Sequence, residues 1–143
     1  MPNKIVRKPE WLRKKITPSA NKEMEELLSR VSLKTICQEA ACPNVSECFS
    51  KKQATFLILG SVCTRACSFC AVGKGKPSPL NPDEPRNVAR GVVELGLRHV
   101  VITSPTRDDL IDGGAERFCA TVSAIHFKDP SIVVELLIPD MGE

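Results

Sequence analysis

The chain has no tyrosine, one tryptophan, two histidines and only 4% aromatic residues. So few aromatics provide no interleaved stacking platform of the kind single-stranded nucleic acid uses. Charge adds little: 20 basic against 17 acidic residues leave a net +3, too small to argue for a nucleic-acid partner by itself. The first stretch is locally basic (Lys4, Arg7, Lys8, Arg13, Lys14, Lys15), but with Trp11 as its lone aromatic it reads as a solvated, extended arm over residues 1–20. Long apolar runs are also missing. "FLILG" and "VVELLIP" fall far short of the roughly 20 residues that span a bilayer, and residues 1–20 lack the apolar segment of a secretory signal. A reducing, cytoplasmic setting is the expectation, and it favours metal or redox chemistry over a disulfide framework.

What the chain does have is cysteine in an unusual arrangement. Six of its seven cysteines fall between residues 37 and 70, in two triplets: "CQEAACPNVSEC" (Cys37, Cys42, Cys48) and "CTRACSFC" (Cys63, Cys67, Cys70). Its 143 residues suit one domain, and 42% hydrophobic with 26% charged residues are ordinary for a folded protein.

Hydrophobic periodicity places the triplets. "NKEMEELLSRV", 21–31, has helical spacing. Residues 33–53 lack a clear period and read as loop with short helical turns. "ATFLIL", 54–59, is a continuous apolar run ended by Gly60, as in a strand buried on both faces. The Gly- and Pro-rich segment 73–86 must be loop. Helices are predicted over 83–96 and 112–127, and further strands over 98–104 and 131–139. A β-α-β-α-β order implies a parallel sheet. Ligands of such sheets lie beyond the carboxyl ends of the strands, and Cys63, Cys67 and Cys70 follow the first strand at that edge.

The C-x3-C-x2-C spacing puts three thiolates in one loop. They suffice for three irons of a [4Fe–4S] cluster and leave the fourth iron open to an exogenous ligand. Phe69, between the last two cysteines, is a candidate to shield such a cluster from water. Zinc and purely structural cysteines are the alternatives. Zinc usually takes paired C-x2-C knuckles and a fourth Cys or His, and His99 and His126, the latter inside a predicted helix, are the only histidines.

An aromatic-flanked C-x3-C-x2-C directly after the first strand of a β/α array resembles the radical S-adenosylmethionine (SAM) superfamily. Taken with the preceding C-x4-C-x5-C, the chain resembles lipoyl synthases in particular. The likeness extends to "KPEWLRKKI" (8–16), "EAACPNVSECF" (39–49), "PDEPRNVA" (82–89), "GLRHVVITS" (96–104), "RDDLIDGGAERF" (107–118) and "VELLIPD" (134–140).

The resemblance implies an α/β fold, a partial (β/α)6 radical-SAM barrel. It would be limited here to about its first three strands (54–143) and preceded by a cysteine-bearing extension (1–53). It implies a sulfurtransferase that inserts two sulfurs at C6 and C8 of a protein-bound octanoyl group. Two [4Fe–4S] clusters are implied, one on Cys63, Cys67 and Cys70 that reduces SAM, and an auxiliary one on Cys37, Cys42 and Cys48 that supplies sulfur. The implied substrates are octanoylated lipoyl-carrier domains: the E2 subunits of 2-oxoacid dehydrogenases and the glycine cleavage H protein. Reduced ferredoxin or flavodoxin is the implied electron donor, and neither nucleic acid nor membrane is an expected partner. An aliphatic C–H offers a side-chain base no acidity to exploit, so the hard chemistry falls to the cofactor and no side chain is assigned as catalytic.

Further positions carry over as SAM contacts: the Gly113–Gly114 pair, Thr103 and Ser104 after the second strand, and Glu135, a carboxylate interrupting an apolar strand. A loop and helix start, or structural capping, are the competing readings for the first four. Arg65 and Arg107 read as solvated charges, and Cys119, beside Phe118 and Val122, as a core cysteine. Two departures stand out. Pro105 replaces a small or β-branched residue, and the family continues for about as much chain again, including a serine that is the fourth ligand of the auxiliary cluster. The chain therefore reads as an N-terminal portion, an incomplete form whose last strand is an open edge, with a non-catalytic iron–sulfur binder as the alternative. Biotin-synthase-like sulfurtransferases do not place C-x4-C-x5-C before the barrel.

Overall fold

A computed structural model describes residues 7, 9–13, 16 and 18–141. The basic residues Lys4, Lys8, Lys14 and Lys15 lie outside the described residues. A single 3-10 turn at Glu10–Leu12 precedes helix α1, Pro18–Arg30. This helix starts earlier than the periodicity alone predicts because Pro18 occupies its first turn, where a missing N–H costs nothing. Met24 and Leu28 form its buried stripe, continued by Val31 just past its end.

Where the sequence shows no period, the chain forms β1 (Lys34–Thr35), α2 (Ile36–Glu39) and α3 (Val45–Ser50). The Thr35 hydroxyl accepts the Gln38 N–H at 3.4 Å and donates to Gln38 Oε1 at 3.0 Å, so one side chain ends the strand and caps the helix. After them come β2 (Thr55–Leu57), the short pair β3 (Val62–Cys63) and β4 (Gly73–Lys74), α4 (Glu84–Glu94), β5 (His99–Thr103), α5 (Ala115–Lys128) and β6 (Val133–Leu137).

The main sheet has the order β1-β2-β5-β6. As predicted, β2 pairs with β5 and β5 with β6 in parallel, and β1 adds an antiparallel edge that the sequence did not reveal. The register sets Thr55, Val101 and Glu135 side by side, then Leu57, Thr103 and Leu137. These residues and His99 share one face of the sheet, since side chains alternate along a strand. The opposite face carries Phe56, Val100 and Ile102, all fully buried in one core with Val88 and Val92 of α4 and Phe118 and Ile125 of α5.

Helix α4 begins with Pro85 in its first turn and stops at Gly96, whose φ is 65°. Helix α5 opens later than predicted because Asp112 to Gly114 form its lead-in turn. The Asp112 carboxylate accepts the N–H groups of Gly114 (2.9 Å) and Glu116 (2.8 Å). Among the described residues β6 pairs only with β5, and Val133, Leu137 and Ile138 are exposed beside this open edge. Cys119 does not join the core. Phe118, Thr121 and Ile125 occupy the buried face of α5 and turn Cys119 to the exposed side, correcting the sequence reading. Among the described residues no helix is long and apolar enough to cross a membrane.

Ile102 lies at the centre of the layer between sheet and helices. Ile102→Ala is expected to lower unfolding free energy by about 2–5 kcal/mol, measured by denaturant titration, and a loss below about 1 kcal/mol would contradict the packing described here.

Candidate functional site

The carboxyl edge of the sheet is built around the end of β2. Leu59 and Gly60 follow the strand with φ of 66° and 87°, and the chain reverses into the loop that carries Cys63, Cys67 and Cys70. The parallel pairing of Val62 with Gly73 and of Cys63 with Lys74 closes this loop at its base. Within it the Gly75 N–H donates to the Cys63 carbonyl at 3.0 Å and the Cys70 N–H to the Cys67 carbonyl at 3.2 Å. The Arg65 N–H approaches Cys63 Sγ at 3.4 Å. Cys63 and Cys70 are half-buried and Cys67 is exposed. Phe69 is 92% exposed, so nothing in the chain holds it over the loop.

Two residues dock the cysteine loop onto its neighbours. The Thr64 hydroxyl donates to Asp108 Oδ2 at 2.6 Å, and the Thr64 N–H donates to the Thr106 carbonyl at 3.1 Å. The Arg65 guanidinium binds Asp108 through Nη2 (2.7 Å) and Nε (3.1 Å), and Asp140 through Nη1 (3.0 Å). Arg65 is thus no isolated solvated charge: it ties the loop after β2 to the segments after β5 and β6. Hydrogen bonds from Arg65, then from Thr64, hold the Asp108 carboxyl down to about 2.

Arg107 departs further from its sequence reading. It is only 3% exposed, its Nη1 donates to the Leu59 carbonyl at 2.7 Å, and its Nε and Nη2 clasp Asp109 at 2.8 Å each. Glu84, which the sequence did not single out as a site residue, accepts the Leu59 N–H on both carboxylate oxygens (3.1 and 3.0 Å). Burial raises the Glu84 carboxyl, against the lowering influence of the Leu59 N–H, Arg117, the Gly60 N–H and Arg107. The signal available in sequence was an acidic residue before Pro85 at a helix start, a pattern common to many helices.

The carried-over positions divide. Thr103 donates its hydroxyl to the Leu137 carbonyl at 2.8 Å, a structural tie between β5 and β6. Ser104 Oγ, one residue on, is buried and has no hydrogen-bond partner among the described residues. Gly114, with φ of 99°, packs so closely on Leu59 that an added methyl would overlap the leucine side chain. Its lack of a side chain therefore has a packing cause. Glu135 is not buried: half exposed, it pairs with His99 Nε2 at 3.2 Å on the same sheet face. Pro105 is buried in the loop after β5.

The first triplet sits at the other end of that face. Cys37 on α2 and Cys48 on α3 line a cavity of about 600 Å³ with Lys51, Thr55, His99 and Val101. Thr55 and His99 open their strands, so this cavity lies toward the amino ends. Burial pushes the Cys48 thiol up, and the neighbouring Cys37 and Cys42 thiols push it further, followed by Glu47, against the opposing Lys51 ammonium. The Cys37 and Cys42 sulfurs are therefore each within electrostatic reach of Cys48. The Lys34 ammonium links the two cysteine-bearing segments by donating to Ser61 Oγ at 2.9 Å.

All seven cysteines are free thiols. Among the described residues no three His, Cys, Asp or Glu side chains converge closely enough to grip a single metal ion. A polynuclear iron–sulfur cluster spreads its thiolate ligands over several irons, and two sets of three soft sulfur donors suit that chemistry.

A family model for the radical SAM superfamily matches residues 57–140. The chain is 64% identical over 136 residues to a lipoyl synthase of Geobacter sulfurreducens, covering 95% of this chain and 45% of that protein. It is 62% identical over 141 residues to a lipoyl synthase of Geotalea uraniireducens (98% and 50%), and 56% identical over 137 residues to one of Alkaliphilus metalliredigens (95% and 47%). The chain spans about half the length of the curated relatives it matches.

Two outcomes follow from these electrostatics. Removing like charge by Cys37→Ser is expected to lower the Cys48 thiol, so that in metal-free protein the midpoint of Cys48 alkylation moves to lower pH, and an unchanged midpoint would contradict the coupling. The Asp108 carboxyl is depressed on folding, so its contribution is complete above the ordinary aspartate pKa of about 3.9 and is lost as pH falls through about 2. Arg65→Met should raise Asp108 toward the ordinary carboxylate range by NMR titration, with the Thr64 hydrogen bond still lowering it, and a value still at about 2 would show that Arg65 is not the main cause.

Proposed function

The chain belongs to the radical SAM superfamily, and from that premise we propose that it acts in lipoyl synthesis and carries the cluster-binding cysteines of the site. The reaction is the insertion of two sulfurs at C6 and C8 of an octanoyl group held on a lipoyl-carrier domain, with ferredoxin or flavodoxin as electron donor. Support comes from the two sets of thiols lying toward opposite ends of β2, one in a cavity at its amino end and one in the loop that follows its carboxyl end. Cys37 and Cys48 open on a cavity with Thr55, His99 and Val101, and the Cys63–Cys70 loop follows the carboxyl end of the strand that Thr55 begins.

In this reading Cys63, Cys67 and Cys70 hold the cluster that reduces SAM, and Cys37, Cys42 and Cys48 hold the auxiliary cluster. When bound, the first cluster and SAM supply the one-electron chemistry that activates an aliphatic C–H, and the second supplies sulfur. The chain's own side chains bind and position. Ser104 Oγ, buried and unpartnered, is offered to the SAM site. Gly113 and Gly114, both at positive φ before α5, are offered as backbone contacts to SAM, although the space beside them is filled by Met141 and Leu59. Arg65 fixes the cysteine loop against Asp108 and Asp140. Val101 and Leu137, partly exposed on the sheet face that lines the cavity of Cys37 and Cys48, offer apolar contact to an acyl chain. The fourth ligand of the auxiliary cluster is assigned to no residue of this chain.

The test is anaerobic reconstitution with iron and sulfide, followed by SAM, dithionite and an octanoylated lipoyl-domain peptide. The unaltered chain is expected to bind about eight irons. Cys63→Ala should remove about four of them and abolish deoxyadenosine release, whereas Cys37→Ala should remove the other four and leave that release intact. Full iron with no deoxyadenosine would identify a non-catalytic cluster binder, and fewer than about two irons would overturn the cluster assignment itself.

A further inference from the structure

We propose that Glu84 and Arg107 are positioning residues that lock the Leu59–Gly60 turn and thereby set where the Cys63–Cys70 loop stands relative to Gly113 and Gly114. The inference rests on the functional reading above for its chemistry, and on the geometry of one peptide for its structure. Leu59 is a buried, non-glycine residue with φ of 66°, followed by Gly60 with φ of 87°. Successive left-handed residues are sparsely populated and persist where their surroundings over-determine them, commonly at functional sites. Their N–H groups both face the carboxylate of one side chain.

Glu84, the first residue of α4, accepts the Leu59 N–H at 3.1 and 3.0 Å on its two oxygens. Arg107 takes the other side of the residue, donating to the Leu59 carbonyl at 2.7 Å while Asp109 holds its remaining nitrogens. At this point the chain has left the strand ladder, so Leu59's buried N–H and C=O depend on these two side chains for partners. The Leu59 side chain meanwhile packs on Gly114. One residue therefore fixes three segments against each other: the start of the cysteine loop, the loop after β5 and the glycine pair before α5.

The test uses the full chain in a Cys37→Ala, Cys42→Ala, Cys48→Ala background, where only the second triplet can hold iron. Glu84→Gln and Arg107→Met are expected to retain the parent's iron, because all three ligands remain. They should lose the SAM-induced change in the electron paramagnetic resonance spectrum of the reduced cluster, with SAM affinity weakened by about tenfold or more. Glu94→Gln, at the far end of the same helix, is the control for a merely structural loss and should keep the parent's response. Parental spectra and affinity in both Glu84→Gln and Arg107→Met would overturn the proposal.

If the parent binds no iron or gives no SAM response, the functional reading fails and the proposal is judged by amide hydrogen exchange alone. Exchange at Leu59, Gly60 and the 61–70 loop should then be about tenfold or more faster in Glu84→Gln than in Glu94→Gln. Equal protection in the two would overturn it. Should Glu84→Gln and Arg107→Met prove too unstable to purify, Asp109→Asn loosens Arg107 without touching the turn and is decided by the same two measurements.

Discussion

The architecture of the carboxyl edge depends on how one peptide, that of Leu59, is satisfied after the sheet has released it. Strand β2 ends at Leu57, and Ile58 still donates its N–H to the Thr103 carbonyl at 2.9 Å. Beyond that point the ladder offers no partner, and burial makes an unpaired N–H or carbonyl costly. Glu84 and Arg107 supply the missing acceptor and donor from two distant segments. Both are themselves charged groups in a buried setting, and each is tolerable because the backbone and Asp109 compensate it. The left-handed turn so held is what redirects the chain from the core into the cysteine loop.

Outward from that turn the interactions become looser and more electrostatic. Arg65 gathers Asp108 and Asp140 at the surface, where solvent screens each pair and geometry matters more than energy. On the other side of the sheet's amino end, Cys37 and Cys42 are each close enough to Cys48 for their charges to oppose its own. Such an arrangement is unfavourable for three thiolates alone and is relieved by a cationic metal centre, because metal binding and thiol ionisation are linked. The sheet face beside the cavity that Cys37 and Cys48 line is mixed in character, apolar at Val101 and Leu137 and polar at the His99–Glu135 pair.

Much of this was legible in sequence because it rests on local pattern. The apolar runs at 54–59, 98–104 and 131–139 and the Pro-started, Gly-stopped helix between the first two pointed to the parallel sheet, and the cysteine spacings to the candidate ligands. What escaped had causes separated in sequence. Strand β1 is two residues long, too short to show a period. Cys119 and Glu135 were placed by composition of their neighbours, whereas the true facing of each depends on helix phase and on an open strand edge. Arg107 lies 48 residues from the carbonyl it binds and Glu84 lies 25 residues from the N–H it accepts, distances at which no sequence period signals contact. Surface charge is the ordinary reading of an Arg-Asp-Asp run, and only the fold shows that the first of the three points inward.

The central claim is that two separate thiol triplets, lying toward opposite ends of β2, serve as two metal centres. Anomalous diffraction at the iron edge from crystals of the anaerobically reconstituted chain tests it most directly. Two distinct iron peaks are expected, one against Cys63, Cys67 and Cys70 and one in the cavity that Cys37 and Cys48 line. A single iron centre drawing ligands from both triplets, or iron bound at neither, would contradict the account.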